Sequence, residues 1–568
     1  MRLTLSACLG AGLLAACAAP ETGQTPAAVP AQAERVFTDG TIHTGLAVMP
    51  DAEMVAVAQG RVLYAGSREN GEALIGPGTE IVDLGGAVMV PGFTDSHAHL
   101  IGVGQRERTL NLEDVASIAE LRTRVAQAAQ DASLDVIAGR GWIETHWPED
   151  RFPTAADLDA VEAERPVILT RADGHALVAN TAALEAAGVD DATPDPDGGE
   201  ILRDADGRAT GMIIDTAMAP FRALVGQPTR EEKVEIYAAG ARVMASHGWT
   251  GVHDMSVPYE DVDILAQLAS EGRLPLRVHV SANPEDYADV AARAPRVEAG
   301  GRVQARAVKL YSDGALGSRG AALIQPYADA PGSRGLLLLN EDEAAAMMDD
   351  ALRDGVQLAI HAIGDLGNRL TLDWIEAAYA RVPEAERAVA EPRWRIEHTQ
   401  VISPADLPRL SELGLIASMQ PSHAIGDLHF APQRLGAQRL SGAYAWRDII
   451  ESGAVLAGGS DAPVERGEAR IEFYAVAVRR DLDGYADPET WHLDQALDRE
   501  TAMKIFTVWP AWASFREDEL GTIEPGMIAD FSVFDRDIMS VPDLELREVR
   551  PVMTVVDGAV VWRAQQGD

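Results

Sequence analysis

VMVPGFTDSHAHL, residues 88–100, is an apolar run that ends in two histidines separated by one residue. In a β-strand, residues two apart point to the same face, so His97 and His99 project together, with Asp95 on their side. Two imidazoles at this spacing can hold one borderline metal ion such as zinc. A lone His-x-His pair is weak support for a metal site, so the rest of the chain must supply further ligands.

Four further strand-like runs carry metal-binding residue types where the apolar run gives way to Gly, Ser or Asp. These residues are Lys309 in RAVKLYSDG, His361 in QLAIHAIGD, His398 in RWRIEHTQ and Asp461 in AVLAGGSDAP. Such runs alternate with amphipathic helical stretches over residues 91–510, which predicts an α/β fold with a parallel sheet, open or closed. In a parallel barrel the strand ends share one face, on which active sites are built.

Lysine is rare in this chain. Among 48 lysines and arginines, the only lysines are Lys233, Lys309 and Lys504. A lysine at the end of an apolar strand therefore suggests primary-amine chemistry, which a guanidinium cannot supply. One such use is reaction with CO₂ to give a carbamate that bridges two metal ions. The alternative is a buried lysine paired with an acid such as Asp313.

Short strands at both ends of the chain predict a second, smaller domain. Segments within 35–90 and 511–568 alternate apolar and polar residues between glycine-containing turns. Neither segment is long enough to build a closed sheet alone. We therefore predict one small β-sandwich built from both termini, flanking a central domain at 91–510.

Several long motifs resemble one family. They are VPGFTDSHAHL (90–100), GRGWIETHW (139–147), RADGHALVANTAAL (171–184), VKLYSDGALGSRGAAL (308–323) and GGSDAPVE (458–465). The sequence resembles the amidohydrolase superfamily and, within it, the amidohydrolase-3 group of YtcJ-like and N-substituted formamide deformylase-like proteins. The resemblance runs from Glu34 to Arg563. It implies a distorted (β/α)₈ TIM barrel with a composite β-sandwich and an insertion at about 105–245 that shapes the substrate pocket.

The resemblance also implies a ligand set for one or two divalent metal ions, with zinc expected. His97 and His99 would bind the first ion together with Asp461. His361 and His398 would bind the second ion, and a carboxylated Lys309 would bridge the two. No position of this set departs from the family pattern.

The expected reaction is hydrolysis of a non-peptide C–N bond, of amide or N-formyl type, in a small molecule. A divalent metal lowers the pKa of water toward neutrality and polarises a carbonyl group. Asp461 would take the proton and pass it to the leaving amine. Cyclic amide opening, deamination or ester cleavage on the same scaffold stay open, and so does a lipid-anchored solute-binding protein without turnover. The presence of Asp461 speaks against a pure binder, which needs no proton shuttle.

Four residues are candidates for contact with the substrate: Trp142, Arg171, His175 and His423. Trp142 lies beside Trp147 and could equally pack in a core. His253 and His279 lie near strand ends but match no ligand position of the family, so we interpret both as structural.

The chain is strongly acidic, with a formal net charge of -40. A nucleic-acid-binding surface needs clustered Lys and Arg, so nucleic acid is excluded as a partner. The same charge disfavours strongly anionic substrates. A homodimer is compatible with the sequence, which does not otherwise indicate an oligomeric state.

The chain begins MRLTLSACLGAGLLAAC, a pattern typical of a secretory signal too short to span a membrane stably. Residues 14–17 resemble a lipobox, which predicts a signal peptide at 1–17, a lipid on Cys17 and a flexible tether at 18–34. The expected location is the periplasmic side of the bacterial envelope, at the outer membrane because the non-acidic Ala18 follows. An ordinary cleaved signal and a cytosolic enzyme with an apolar start are the alternatives. Cys8 and Cys17 are the only cysteines, so the mature chain has no internal disulfide.

Overall fold

A computed structural model describes residues 32–145, 147–196 and 198–565. The signal peptide and nearly all of the tether lie outside these residues, so export and the lipid on Cys17 stay predictions. Within the described ranges, no helix combines the length and apolar character required to cross a membrane.

Eight parallel strands form the central sheet, with neighbours in sequence order. They are β1 (Phe93–Ala98), β2 (Trp249–Val257), β3 (Arg277–Ala282), β4 (Val303–Tyr311), β5 (Gln357–Ala362), β6 (Arg395–His398), β7 (Ile416–Met419) and β8 (Val455–Gly458). A short antiparallel strand, Arg296–Glu298, pairs with β4. Nearly every residue of the eight strands is buried, as expected for a parallel sheet covered on both faces.

The first and last strands approach each other and nearly close the barrel. Just beyond β8, the backbone N–H of Asp461 donates to the carbonyl of His97 at 2.6 Å. The backbone N–H and the hydroxyl of Ser460 donate to the carboxylate of Asp95 at 2.9 and 2.5 Å. These bonds join the two edges, and the predicted distorted TIM barrel is confirmed.

Helices connect the strands. The α-helices are Arg68–Gly71, Leu100–Arg108, Ile118–Ala128, Ala155–Asp159, Thr181–Ala187, Ala219–Val225, Arg230–Ser246, Val262–Ser270, Tyr287–Ala291, Glu341–Asp354, Asp365–Arg381, Leu407–Glu412, Pro421–Asp427, Ala431–Leu435, Trp446–Glu451, Ala469–Val478, Arg499–Phe506 and Val508–Ala513. Short 3₁₀ helices are Glu72–Leu74, Thr216–Met218, Tyr259–Asp261, Pro284–Asp286, Ala299–Gly301, Glu384–Glu386, Leu440–Gly442, Leu493–Gln495 and Asp543–Glu548.

Between β1 and β2 the chain forms a separate six-stranded sheet. Its strands are Leu110–Asn111, Ile137–Trp142, Val167–Arg171, Ala176–Ala179, Gly199–Arg203 and Ala209–Asp215. The helices that lead into and out of this insertion pack closely, because Gly104 and Gly240 lie at their crossing. A Cβ at Gly104 would lie 1.9 Å from the carbonyl oxygen of Ile236, and one at Gly240 2.3 Å from that of Leu100. This close contact fixes the insertion beside the mouth of the barrel.

A third sheet joins the two ends of the chain. Its eight strands are Arg35–Leu46, Met49–Ala58, Arg61–Gly66, Glu80–Asp83, Val88–Pro91, Phe531–Phe534, Pro551–Val556 and Ala559–Arg563. Val88–Pro91 pairs antiparallel with Phe531–Phe534, so the composite β-domain is built from both termini. Its strands join in one hydrogen-bonded sheet. Arg277 in β3 pairs with Asp530 and Asp557 and ties this sheet to the amino-terminal end of the barrel.

Candidate metal centre and substrate cavity

The strand ends gather the predicted metal ligands around one cavity of about 970 Å³. His97 lies in β1, Lys309 in β4, His361 in β5 and His398 at the end of β6, while His99 and Asp461 follow β1 and β8; all six line the cavity. Five of the six are buried, and His99 is half-buried. The geometry brings together residues that are up to 364 positions apart in the chain, from His97 to Asp461.

Asp461 lies at the centre of the first ligand group. Its Oδ1 is 3.2 Å from Nε2 of His99 and 3.6 Å from Nε2 of His97. One ligand atom from each of these three residues lies within 4.8 Å of the other two. Two imidazole nitrogens and a carboxylate oxygen at this spacing are a donor set that suits a divalent metal such as zinc.

A second group combines His398, His423 and Asp461, whose ligand atoms also lie within 4.8 Å of one another. The rings of His398 and His423 are 5.9 Å apart and nearly parallel. His361 lies beside this group, with its ring 4.5 Å from that of His398. The buried Nε2 atoms of His361 and His423 have no hydrogen-bond partner among the described residues. The structure thus places His423, predicted as a substrate contact, among the candidate ligands.

Three of the histidines are oriented by contacts at Nδ1. His97 contacts Oε2 of Glu397 at 2.6 Å, His398 contacts Oε1 of Gln420 at 2.7 Å, and His99 donates to the carbonyl of Met255 at 3.1 Å. Because Nδ1 is engaged in each ring, Nε2 is the atom left to bind a metal.

Glu397 and Arg395 form a buried ion pair behind His97. Both side chains have no exposed surface, and Nε of Arg395 lies 2.7 Å from Oε1 of Glu397. Burial alone would raise the pKa of Glu397, but Arg395 and the contact with His97 lower that pKa to about 2. Sequence reasoning did not assign these residues. The signal was present, because two charged residues at alternate positions of a buried strand point to its interior face.

Glu397→Gln tests this support. The change leaves Arg395 as an unpaired buried charge and weakens the contact that orients His97, so we expect unfolding free energy to fall by about 3 kcal/mol. Metal affinity is expected to fall by about tenfold or more. Chemical denaturation and metal titration check the two effects. Unchanged values for both quantities would show that the ion pair does not support the site.

Lys309 lies within the same cluster. Its side chain is 1% exposed, and Nζ is 3.2 Å from Nε2 of His97. Among the described residues it forms no ion pair with a carboxylate, whereas Asp313 accepts backbone N–H groups from Ala322, Ile363 and Gly364. Burial lowers the pKa of the Lys309 amine to about 8, against the opposing charges of Glu397 and Asp461. The pairing with Asp313 considered above is therefore not observed.

Arg171 and His175 line the cavity, but each has an acidic partner from the insertion. Arg171 donates to Glu144 at 2.8 Å and also pairs with Asp173. His175 Nδ1 lies 2.7 Å from Oδ1 of Asp215.

Trp142 is not among the residues that line the cavity. It is fully buried in the core of the insertion, and its indole N–H donates to the carbonyl of Leu169 at 2.8 Å. Apolar contacts inside the insertion hold it there, while Trp147 contributes to the cavity wall. His253 and His279 are buried on neighbouring barrel strands, with ring centroids 4.9 Å apart and ring planes tilted by 52°.

A parallel barrel that presents histidines and an aspartate at its strand ends suits the class of metal-dependent hydrolases. A model of the amidohydrolase family matches residues 80–562. This chain belongs to the amidohydrolase family.

Related proteins match this chain over nearly its full length. The chain is 31% identical to the protein YtcJ of Bacillus subtilis, over 93% of this chain and 99% of that protein. It is 27% identical to the N-substituted formamide deformylase of Arthrobacter pascens, over 90% and 94% of the two chains. An uncharacterized metal-dependent hydrolase from Pyrococcus horikoshii has a similar structure, with a TM-score of 0.72, 28% identity, and coverage of 90% and 99%.

Proposed function

We propose that this chain hydrolyses a non-peptide C–N bond, of amide or N-formyl type, in a small molecule. The observation that carries the proposal is the cluster of His97, His99, His398, His423 and Asp461 on one cavity. A cavity of about 970 Å³ suits a small molecule. The name of the Arthrobacter relative, a formamide deformylase, supports the choice of bond.

The residues present suit a divalent metal, which we propose to be zinc, bound by His97, His99 and Asp461 with a second position near His398. His361 and His423 are the candidates to complete that second position. When bound, the metal supplies a Lewis acid that polarises a carbonyl oxygen and brings the pKa of water toward neutrality.

We also propose that Lys309 carries a carbamate. The neutral amine attacks the carbon of CO₂, a C–N bond forms, and one proton is lost to solvent, which leaves an anionic carbamate. Two observations support this step: burial lowers the pKa of the amine to about 8, and no carboxylate pairs with it among the described residues. The carbamate would place a negative charge beside the cluster of imidazoles, where Nζ of Lys309 lies 3.2 Å from Nε2 of His97.

Asp461 is the residue that we propose to move the proton. Its carboxylate contacts both histidine groups and lines the cavity, so it can accept a proton from water and deliver it to the leaving amine. Ester cleavage, cyclic amide opening and deamination would use the same residues. Family membership favours all of these over a binding protein without turnover.

The test uses a panel of N-formyl and N-acyl amines, with matched esters and lactams, assayed before and after chelation. We expect release of a free amine from at least one N-formyl or N-acyl compound, loss of activity with chelator, and recovery with added zinc or manganese. Preference for an ester or lactam would select an alternative bond. A chain that binds metal but hydrolyses no compound of the panel would contradict the proposal.

A further inference from the structure

One arginine in the cavity wall forms no ion pair with any of the residues that the structure describes. Arg140 lies in the insertion strand Ile137–Trp142 and donates one hydrogen bond, from Nη2 to the carbonyl of Ala172 at 3.1 Å. The Nε atom of Arg140 is buried and has no hydrogen-bond partner among the described residues. The Arg140 side chain also forms no ion pair within 4 Å with any of these residues. The guanidinium therefore presents unused donors to the cavity that it lines.

The neighbouring Arg171, in the same wall, is an arginine whose guanidinium is paired with carboxylates. It is held by Glu144 and Asp173, whereas Arg140 is held by a single carbonyl. Burial lowers the pKa of the Arg140 guanidinium below its ordinary value, although the charges of Asp173 and Asp461 oppose this. Arg140 and Asp461, one of the candidate metal ligands, line the same cavity.

A second arginine faces the same space. Gly174, at φ +74°, lies over the Arg140 guanidinium, and a Cβ there would be 3.3 Å from Nη2. Arg222 donates to the carbonyl of Gly174 at 3.3 Å, lines the cavity, and has no ion pair among the described residues. Two guanidinium groups thus flank one glycine, and among the described residues neither forms an ion pair within 4 Å.

We propose that the substrate carries a carboxylate, bound by Arg140 with help from Arg222, so that the substrate class is the N-acyl or N-formyl amino acids. This inference rests on the proposed function, because it names the substrate of that reaction. Guanidinium groups with free donors bind carboxylates through paired, charge-assisted hydrogen bonds. The net charge of the whole chain pointed against anionic substrates, but Arg140 and Arg222 line the cavity and neither forms an ion pair among the described residues.

Matched substrates test the proposal: N-formyl-L-phenylalanine and N-formyl-L-phenylalaninamide, each also as the D-enantiomer. We expect the wild-type protein to favour the carboxylate by about tenfold or more in kcat/KM. Arg140→Gln should abolish this preference, so that kcat/KM for the carboxylate no longer exceeds kcat/KM for the amide. Arg387→Gln is the matched control, because Arg387 also donates to one carbonyl, of Val382, and has no ion pair among the described residues, but lies outside the cavity.

Calorimetry separates this inference from the proposed reaction. N-benzylglycine has no acyl bond to cleave, and N-benzylethanolamine is its neutral-headgroup counterpart. We expect N-benzylglycine to bind at least about tenfold more tightly, and this difference to disappear in Arg140→Gln but not in Arg387→Gln. Arg222→Gln, at an exposed position where folding is not at risk, should reduce the difference by about half or more.

The outcomes are distinct. Arg140-dependent binding without hydrolysis of any compound would support the carboxylate site and contradict the proposed reaction. Hydrolysis with no preference for the carboxylate would overturn the carboxylate site and leave the reaction standing. A preference that Arg140→Gln and Arg222→Gln both retain would have the same meaning.

Discussion

Asp461→Asn is expected to reduce kcat by about a thousandfold, because the amide of asparagine cannot accept the proton that the carboxylate takes. The substitution keeps the shape of the side chain and leaves an oxygen near His99. It also suits the backbone: Asp461 has φ 59°, a conformation in which Asn is among the best tolerated residues. The backbone bond from Asp461 to His97 that joins the edges of the barrel is unaffected. The loss should therefore be chemical rather than structural.

The measurement is steady-state kinetics on the best compound of the panel, together with metal content by elemental analysis and a melting curve. Asp406→Asn is the control, because Asp406 is buried and pairs with Arg369 and Arg409 outside the cavity. A variant that retains metal but loses turnover supports the proton-transfer role. Near-normal kcat would assign the proton to another group, with His423 the next candidate at 3.7 Å from Asp461.

The sequence was sufficient to predict the barrel and the residues that reach its mouth. His361 and His398 lie at the carboxyl ends of buried parallel strands. In a parallel barrel these ends lie on one face, regardless of the conformation of the loops that follow. The pairing of the two termini was also predictable, since neither segment could complete a sheet alone.

The positions of residues that depend on loops and on nonlocal packing were harder to predict from the sequence. His423 lies on the short helix Pro421–Asp427 after β7, and its approach to Asp461 depends on how that helix leaves the strand. Trp142 was ambiguous because an aromatic residue fits a core or a pocket equally well. The partner of each arginine in the insertion depends on a six-stranded sheet whose pairing no local pattern specifies.

Lys309→Ala is expected to lower kcat/KM by at least about a hundredfold, because it removes the side chain that would hold the metal through the proposed carbamate. The wild-type chain, purified without chelator, should hold about two metal ions, and the variant fewer. The space left beside His97 should admit a small carboxylate, so acetate or propionate should restore part of the activity. Lys504→Ala is the control, because Lys504 is exposed and outside the cavity.

A labelling measurement isolates the carbamate itself. Protein reconstituted with zinc and ¹³C-bicarbonate should give one carbamate carbon signal by NMR, absent from Lys309→Ala and from Lys309→Arg. The arginine variant keeps a positive charge but offers no primary amine, so it distinguishes amine chemistry from charge alone. A wild-type chain with about one metal ion and no carbon signal would exclude the bridge, while hydrolysis by His97, His99 and Asp461 around a single ion would still be allowed.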